Sequence, residues 1–553
     1  MPDVVSSEVY SAPAIFYTNT NIPSNKYMFF INEGLKYAGF KLIKFELIDN
    51  ELFGNISYEF IDDETAQDKI YTTVLIGANG TLKSRMFQKL IEIFWALNDL
   101  KDQKAPSLSF KFILKYSLEN SIYETSYGGT AKEETPLPSQ GFRLIINGES
   151  QNDFTKIDLP STIIASAIMI TDRFPFPDQE KFPRYQYLGS RYRPQLSSTK
   201  TYIGRVVDFI SKNIDSTAFI GGVKLIADEF FHTSNQPCVT FYTQNTTYFF
   251  KGNITPEKLF SYYEDIDKKY KDKTTAPPFK LNHYKSKIKD DPSLANEIVE
   301  FCNDLRNNNS LRSFYKSSSR AITFRLLDPS DVDKLRKNFY LLEHMRQLGM
   351  VYPPEIEFLK QHEDNLVGYS IMDSSSGEYN LLGSLIGLMA SIQPNSLIFI
   401  DEPEISLHPN WQMKYLSFLR KLFADENYAT CHILVATHSH FLISDLEGDH
   451  SSVIALTRDQ DTNSLSAELL TGQDTYCWSP DDILYNIFNV TSSRNKFVAE
   501  DIAKILDTLS KGDAEKVNQI EKGTYDTLIH LQNTLKDMDP LKEVVKSILK
   551  KVN

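Results

Sequence analysis

Cysteine is scarce in this chain: Cys238, Cys302, Cys431 and Cys477 are the only four in 553 residues, and no two form a C-x-x-C pair. That spacing excludes a disulfide framework and a thiolate zinc knot. With no apolar secretory stretch at the start, it points to a reducing cytoplasm. No run of about 18 apolar residues occurs, so no membrane span and no membrane partner are expected. A heptad pattern sustained over about three or four repeats is also missing, which excludes a long coiled coil. Basic excess is absent too. The formal net charge of −13 argues against coating nucleic acid through bulk charge, while leaving room for a local basic groove. What is present, 41% hydrophobic and 24% charged residues, suits a globular chain, and the length predicts about two to four structural units.

Residues 41–48 and 55–61 alternate polar and apolar around Asp49-Asn50, as two paired strands do. They lead into Val74-Leu75-Ile76, an apolar strand that breaks at Gly77 and restarts as the helical pattern Met86, Phe87, Leu90, Ile91, Ile93, Phe94. Between the two lies Gly77-Ala78-Asn79-Gly80-Thr81-Leu82-Lys83-Ser84. Strand, small-residue loop and helix in that order make a phosphate cradle. Backbone N–H groups and the positive helix end face the phosphates, Lys83 reaches the β/γ oxygens and the Ser84 hydroxyl holds Mg²⁺. One position departs from the G-x-x-x-x-G-K-[ST] pattern, because Leu82 stands where the pattern has Gly. If the backbone there is left-handed, a non-Gly residue costs roughly 1–2 kcal/mol and its Cβ crowds the phosphates. Leu82 therefore bears on turnover more than on binding.

Further along, residues 142–146 read as a strand closed by a turn at Asn147-Gly148, and 163–170 as a buried strand. Residues 173–177 and 184–194 form an irregular, basic and aromatic segment. Helical periodicity dominates from Tyr202 to about Leu366, as in Val206, Phe209, Ile210 and Ile298, Phe301, Cys302, Leu305. The expected division is 1–200, the half carrying the phosphate loop; 201–366, a compact and mainly helical insertion; 367–460, the second half of the site; and 461–553, a helical tail.

The second half carries the rest of the chemistry. Leu397-Ile398-Phe399-Ile400 ends in Asp401-Glu402, which delivers both acids to the carboxyl edge of a buried sheet, where open α/β folds bind ligands. Asp401 positions Mg²⁺ through its water shell and Glu402 polarises an attacking water. The plainer reading is a polar strand end with two solvated acids, but Leu407-His408-Pro409 follows where a subunit-contact loop would lie. His438 closes the strand 432–437 and is placed to sense a γ-phosphate, although a lone strand-end His is more often structural. Cys431, His432, His438 and His440 could suggest a metal site, yet alternation sends Cys431 and His432 to opposite faces. Ser375-Ser376-Gly377-Glu378 by itself reads as a helix cap. Followed by Leu381, Leu382, Leu385 and the carboxylate strand, it occupies the slot of a signature loop, with Ser375 and Gly377 set to contact a γ-phosphate bound in the other subunit. Each site then needs two chains, and ATP favours a head-to-tail dimer.

Taken together, Gly77-x-Asn79-Gly80-x-x-Lys83-Ser84, Ser375-Ser376-Gly377-Glu378, Asp401-Glu402-Pro403-Glu404-x-x-Leu407-His408-Pro409 and Thr437-His438-Ser439 resemble the AAA/ABC-type ATPases of the OLD and RecF kind, over residues 40–200 and 366–460. After Ser444 the chain departs from the OLD pattern. Glu447-Gly448-Asp449 is turn-like and no strand ends in Asp-x-Asp, so no Toprim nuclease is expected. Helical patterns at 497–509, 517–520 and 541–549 follow instead, as packing or partner-binding helices. A nuclease-free ATPase with a helical tail is most similar to the PtuA family of Septu and retron antiphage systems.

The resemblance implies an α/β fold, an ABC-type P-loop ATPase head split by a largely helical insertion. It implies ATP and Mg²⁺ as cofactors and a homodimer through the ATP sites, with larger oligomers open. It also implies a PtuB-like HNH nuclease as partner and, in the retron version, a reverse transcriptase with its RNA-linked DNA. Two other classes compete: a non-hydrolysing scaffold, if Leu82 impairs the loop, and a RecF-type DNA ATPase. Two segments bear on nucleic acid. Lys268, Lys269, Lys271, Lys273, Lys280, Lys285, Lys287 and Lys289 cluster with Tyr270, Phe279 and Tyr284, but read first as a charged linker around Pro277-Pro278. Arg184, Arg191 and Arg193 alternate with Tyr185, Tyr187 and Tyr192 next to the site, which suits coupling of nucleotide state to the insertion.

Overall fold

Seven short strands, of which the central ones are apolar enough to be buried on both faces, make the sheet that positions the site. They are β3 (Tyr71–Gly77), β8 (Ile163–Ala167), β9 (Tyr185–Tyr187), β16 (Leu397–Asp401), β17 (His432–Thr437), β18 (Ser451–Arg458) and β19 (Leu465–Thr471), in the order β19-β18-β3-β17-β16-β8-β9. All neighbours run parallel except β18 and β19. In this computed structural model most residues between Gly39 and Thr471 are described, with 482–483, 528–533 and 540–552. The longest stretches left out are 1–38, 62–68, 129–140, 271–277, 308–320, 472–481 and 484–527.

Period-two alternation splits each buried strand between two cores. Leu397, Phe399, Leu434, Ala436, Tyr71 and Leu75 face the helix α1 (Lys83–Lys101). Above α1 lies a six-stranded antiparallel sheet of β1 (Lys41–Asn50), β2 (Gly54–Glu59), β4 (Lys111–Leu118), β5 (Ser121–Tyr127), β6 (Phe142–Ile146) and β7 (Glu149–Gln151). Ile398, Ile400, Ile433, Val435, Val74 and Ile76 face the other way, onto the insertion and the two helices that flank the carboxylate strand. Helices α2 (Thr199–Asn213) and α3 (Thr217–Phe231) open the insertion, followed by α4 (Pro256–Tyr270), α5 (Phe279–His283), α6 (Pro292–Asn307) and α7 (Pro329–Gln347). Then come α8 (Ser376–Ser391), against which α2 and α3 pack, α9 (Pro409–Leu422) and the single turn α10 (His440–Ile443).

The first strand pair is as expected, with Phe45 opposite Tyr58 and Leu47 opposite Ile56. It belongs to a different sheet from β3, however. Asn147 and Gly148 both take positive φ, 51° and 84°, the geometry of a tight hairpin turn between β6 and β7. One expectation is extended and one corrected. Most of the described residues of 201–366 are helical. The segment also carries an antiparallel sheet of β12 (Gln236–Tyr242), β13 (Ala321–Arg325) and β14 (Glu355–His362), whose fourth strand, β15 (Asn365–Ser370), runs past 366. Short strands separated by long helices leave no run over which period-two alternation stands out. The tail from 461 likewise begins with a strand, β19, which pairs with β18 and extends the ATPase sheet to Thr471. The helical patterns at 497–509 and 517–520 lie outside the described residues, whereas Pro540–Val552 is a helix.

Candidate functional site

Register brings the site together. Asp401 pairs with Ala436, Ala436 with Leu75, and Thr437 with Ile76, so the carboxyl ends of β16, β17 and β3 finish in line. Because β17 lies between the other two, the residue that follows it, His438, sits between the phosphate loop and the acids.

Alternation continues through Phe399 to Asp401, which therefore faces α1, and the Ser84 hydroxyl donates to Asp401 Oδ1 at 2.9 Å. Lys83 is nearly enclosed, and its Nζ donates to Gly77 O at 2.8 Å and meets His438 Nδ1 at 3.2 Å. An ammonium has no lone pair, so Nδ1 accepts, the imidazole proton lies on Nε2, and Nε2 faces Glu402 Oε1 at 3.4 Å. The result is a relay of Lys83, His438 and Glu402 across the site.

Burial sets the electrostatics. It pushes Asp401 up to about 7 against the opposing Ser84 hydrogen bond, with Glu402 adding to the rise. Burial also brings Lys83 down to about 8, although Glu402, Glu404 and Asp401 pull it the other way. The hydrogen bond from His438 holds Glu402 below the usual carboxylate range.

Leu82 caps α1 in the left-handed region, at φ 66° and ψ 15°, without a side-chain cap, so the suspected strain is real. Gly80 is left-handed as well, at φ 84°. At Gly77 a Cβ would come within 2.6 Å of Leu456 O on the neighbouring strand. Thr81 donates to Ala78 O at 2.8 Å and closes the loop. Asn79 and Ser375 lie outside the described residues; Gly377 is buried in the first turn of α8.

These groups open onto a cavity of about 460 Å³, lined by residues 80–85, Met169, Thr171, Asp172, Arg173, Asp401, Glu402 and His438. The wall at 169–173 was not foreseen. Its signal was the position directly after a buried parallel strand, β8, at the same carboxyl edge. Asp172 is held by Arg191, whose Nε donates to Oδ2 at 2.9 Å, and by the Tyr187 hydroxyl at 2.7 Å. Arg205 on α2 donates to Gly189 O at 2.8 Å and Arg191 O at 3.3 Å, so this wall is tied to the insertion.

The Arg/Tyr segment is therefore partly internal. Tyr185 and Tyr187 are buried in the core on the α1 side, and Arg184 donates to Pro160 O. The side chains of Tyr192 and Arg193 are not described. In the Lys cluster, Lys268 and Lys285 are paired with Asp265 and Asp267. His432 has both ring nitrogens engaged, Nδ1 accepting from Leu42 N–H and Nε2 meeting Thr73 Oγ1 at 2.9 Å, which removes it as a metal ligand.

A P-loop, an acid pair one strand removed, a His strand between them and a glycine-bearing helix start define an ABC-type ATPase head. Part of the chain is similar in sequence to a PtuA protein. It is 24% identical over 143 residues to the Septu protein PtuA of Bacillus thuringiensis, a match spanning 26% of this chain and 34% of that relative. Residues 239–444 match the family described as "AAA domain, putative AbiEii toxin, Type IV TA system". Among solved structures, the chain is similar to the Smc head domain with an extended coiled coil from Pyrococcus furiosus, at 12% identity, with 78% of this chain and 97% of that one covered and a TM-score of 0.29. It is also similar to the recombination mediator RecF, at 13% identity, 78% and 99% coverage and a TM-score of 0.26. The assignment of fold rests on strand order and site geometry, not on these two overlaps.

Proposed function

We propose that the chain binds ATP with Mg²⁺, hydrolyses it as a head-to-tail dimer, and through that cycle controls a separate HNH effector nuclease in antiphage defence. The observation that carries the reading is the relay of Lys83, His438 and Glu402 beside the Ser84–Asp401 pair on one cavity. The likeness to Septu PtuA supports the defence context, and the nuclease partner is inferred from it.

The residues fit a divalent cation. Ser84 and Asp401 offer hard oxygen donors 2.9 Å apart, and burial of the Asp401 carboxyl raises it, a penalty that a bound cation would offset. When bound, Mg²⁺ would neutralise phosphate charge as it develops. The protein's own groups do the rest. Lys83 and the N–H groups of the loop hold the β/γ oxygens, and Glu402 orients a water and accepts its proton. His438 fixes Glu402 and reads the γ-phosphate from the other side, while Ser375 and Gly377 of a second copy close the site.

Phosphate release by the purified chain tests this. Glu402→Gln should cut turnover by about 10²-fold or more and leave nucleotide affinity nearly unchanged. Equal turnover in the two proteins would refute hydrolysis at this site. A second reading, an ATP-held scaffold, is favoured by the left-handed Leu82. It predicts tight binding without turnover in the wild type, with hydrolysis gained in Leu82→Gly.

A further inference from the structure

We infer that Glu404 and Gln412 are positioning residues that latch the His438 loop to the start of α9, so that the exposed N-terminus of that helix controls the hydrolytic geometry. The inference rests on the proposed ATPase reading and adds residues to which neither the sequence patterns nor the relatives assign a role.

The ladder of β17 ends at Thr437, which leaves the His438 N–H needing an acceptor. Glu404 supplies it, with Oε1 at 2.7 Å. On the other side of His438, the Ser439 hydroxyl donates to Gln412 Oε1 at 2.6 Å and accepts from Phe441 N–H, capping α10. Gln412 in turn donates through Nε2 to Leu407 O at 2.9 Å and Glu404 O at 3.4 Å. The carboxylate loop is thus bonded to the His loop on both flanks of His438, and Glu402 N–H adds a third tie to Ala436 O at 2.8 Å. Only the imidazole is left to reach Lys83 and Glu402. His408, Pro409 and Asn410 at the head of α9 are exposed, so a second copy pressing there acts on Gln412 and, through it, on His438.

Three measurements test the latch. Glu404→Ala should lower kcat by about tenfold or more, because small displacements of a catalytic group are costly, with KM changed by less than about threefold. Glu404→Gln keeps an acceptor oxygen and should restore most of the rate. In a His438→Ala background, Glu404→Ala should add less than about a twofold loss, since the latch acts through that ring. A full multiplicative loss in that background, or equal losses in the Ala and Gln variants, would reduce Glu404 to a general structural role and overturn the proposal. Amide hydrogen exchange over residues 436–440 gives an answer independent of hydrolysis. It should be faster in Glu404→Ala than in wild type or Glu404→Gln, and unchanged protection would overturn the latch even if the chain never turns over ATP. If Glu404→Ala does not fold, Gln412→Met releases the other flank and is read by the same assays. Absent turnover with altered exchange would count against the ATPase reading alone.

Discussion

Lys41 offers the sharpest quantitative test, because it is an ammonium buried between β1 and the start of β17 with no carboxylate among the described residues acting on it. Its Nζ donates to Ala429 O at 2.9 Å and Cys431 O at 3.1 Å, and burial brings it from 10.5 down to about 7. The unfolded chain therefore binds one more proton than the folded chain between those two values. Stability from this group is fully present above the unfolded value and is lost as pH falls toward 7. At about 1.36 kcal/mol per pH unit, the penalty is about 4 kcal/mol at pH 7 and about 2 kcal/mol at pH 9. Lys41→Met keeps the stem and removes the charge. Cys431 O retains a donor in Tyr71 N–H, but Ala429 O loses its lysine donor, at a cost of about 1–3 kcal/mol. The variant should thus be stabilised by about 1–3 kcal/mol at pH 7, with the gain falling by about 2 kcal/mol at pH 9. Urea unfolding followed by intrinsic fluorescence at the two pH values reads the difference. Lys83, which shifts in the same direction, is present in both proteins and cancels. A wild-type to variant difference that is the same at both values would mean that Lys41 does not titrate near 7, and the reasoning would fail.

Three further outcomes are expected. Leu82→Gly relieves roughly 1–2 kcal/mol of left-handed strain but gives back chain entropy and partial packing. Its melting temperature should move little while turnover rises, and weaker nucleotide binding at an unchanged rate would contradict that. Asp172→Ala removes a carboxylate from the buried Arg191, which keeps the Tyr187 hydroxyl and Phe174 O as acceptors, and should cost about 3–5 kcal/mol, read by thermal unfolding. A change under about 1 kcal/mol would mean that the pair is effectively solvated. Gly77→Ala drives a Cβ into Leu456 O and displaces the carbonyl that Lys83 binds, so nucleotide affinity should fall by about tenfold, an energy within the range of overpacking costs. Titration with a fluorescent nucleotide measures it.

Much of the ATPase layer was legible because parallel strands buried on both faces read as continuous apolar runs, and their ends carry the acids, the His and the glycine break. The left-handed backbone at Leu82 could likewise be anticipated from one substituted position in a motif. The insertion's sheet was not legible: β12 and β13 lie far apart in sequence, separated by helices, and their pairing depends on tertiary contact. Asp172 was hidden for another reason. Its role depends on Arg191 and Tyr187, which read as part of an alternating basic and aromatic segment beside the site; that Tyr187 is buried follows only from the pairing of β9 with β8. Glu404 sat in view within the acid motif, but nothing local shows that a carboxylate will accept a backbone N–H from a strand more than thirty residues away.

The order of strands in the central sheet has a consequence for how the protein is made. β3, which carries the phosphate loop, has as neighbours only β17 and β18, both from the far end of the chain. The Ser84–Asp401 and Lys83–His438 contacts span 317 and 355 residues. During synthesis, both edges of the phosphate-loop strand must wait unpaired until β17 and β18 have emerged, an aggregation-prone interval. A truncated chain ending within the insertion therefore has half the residues of a nucleotide site and lacks both strands that flank β3. The ability to bind nucleotide would arise late, in a single step, when β17 slides in beside β3.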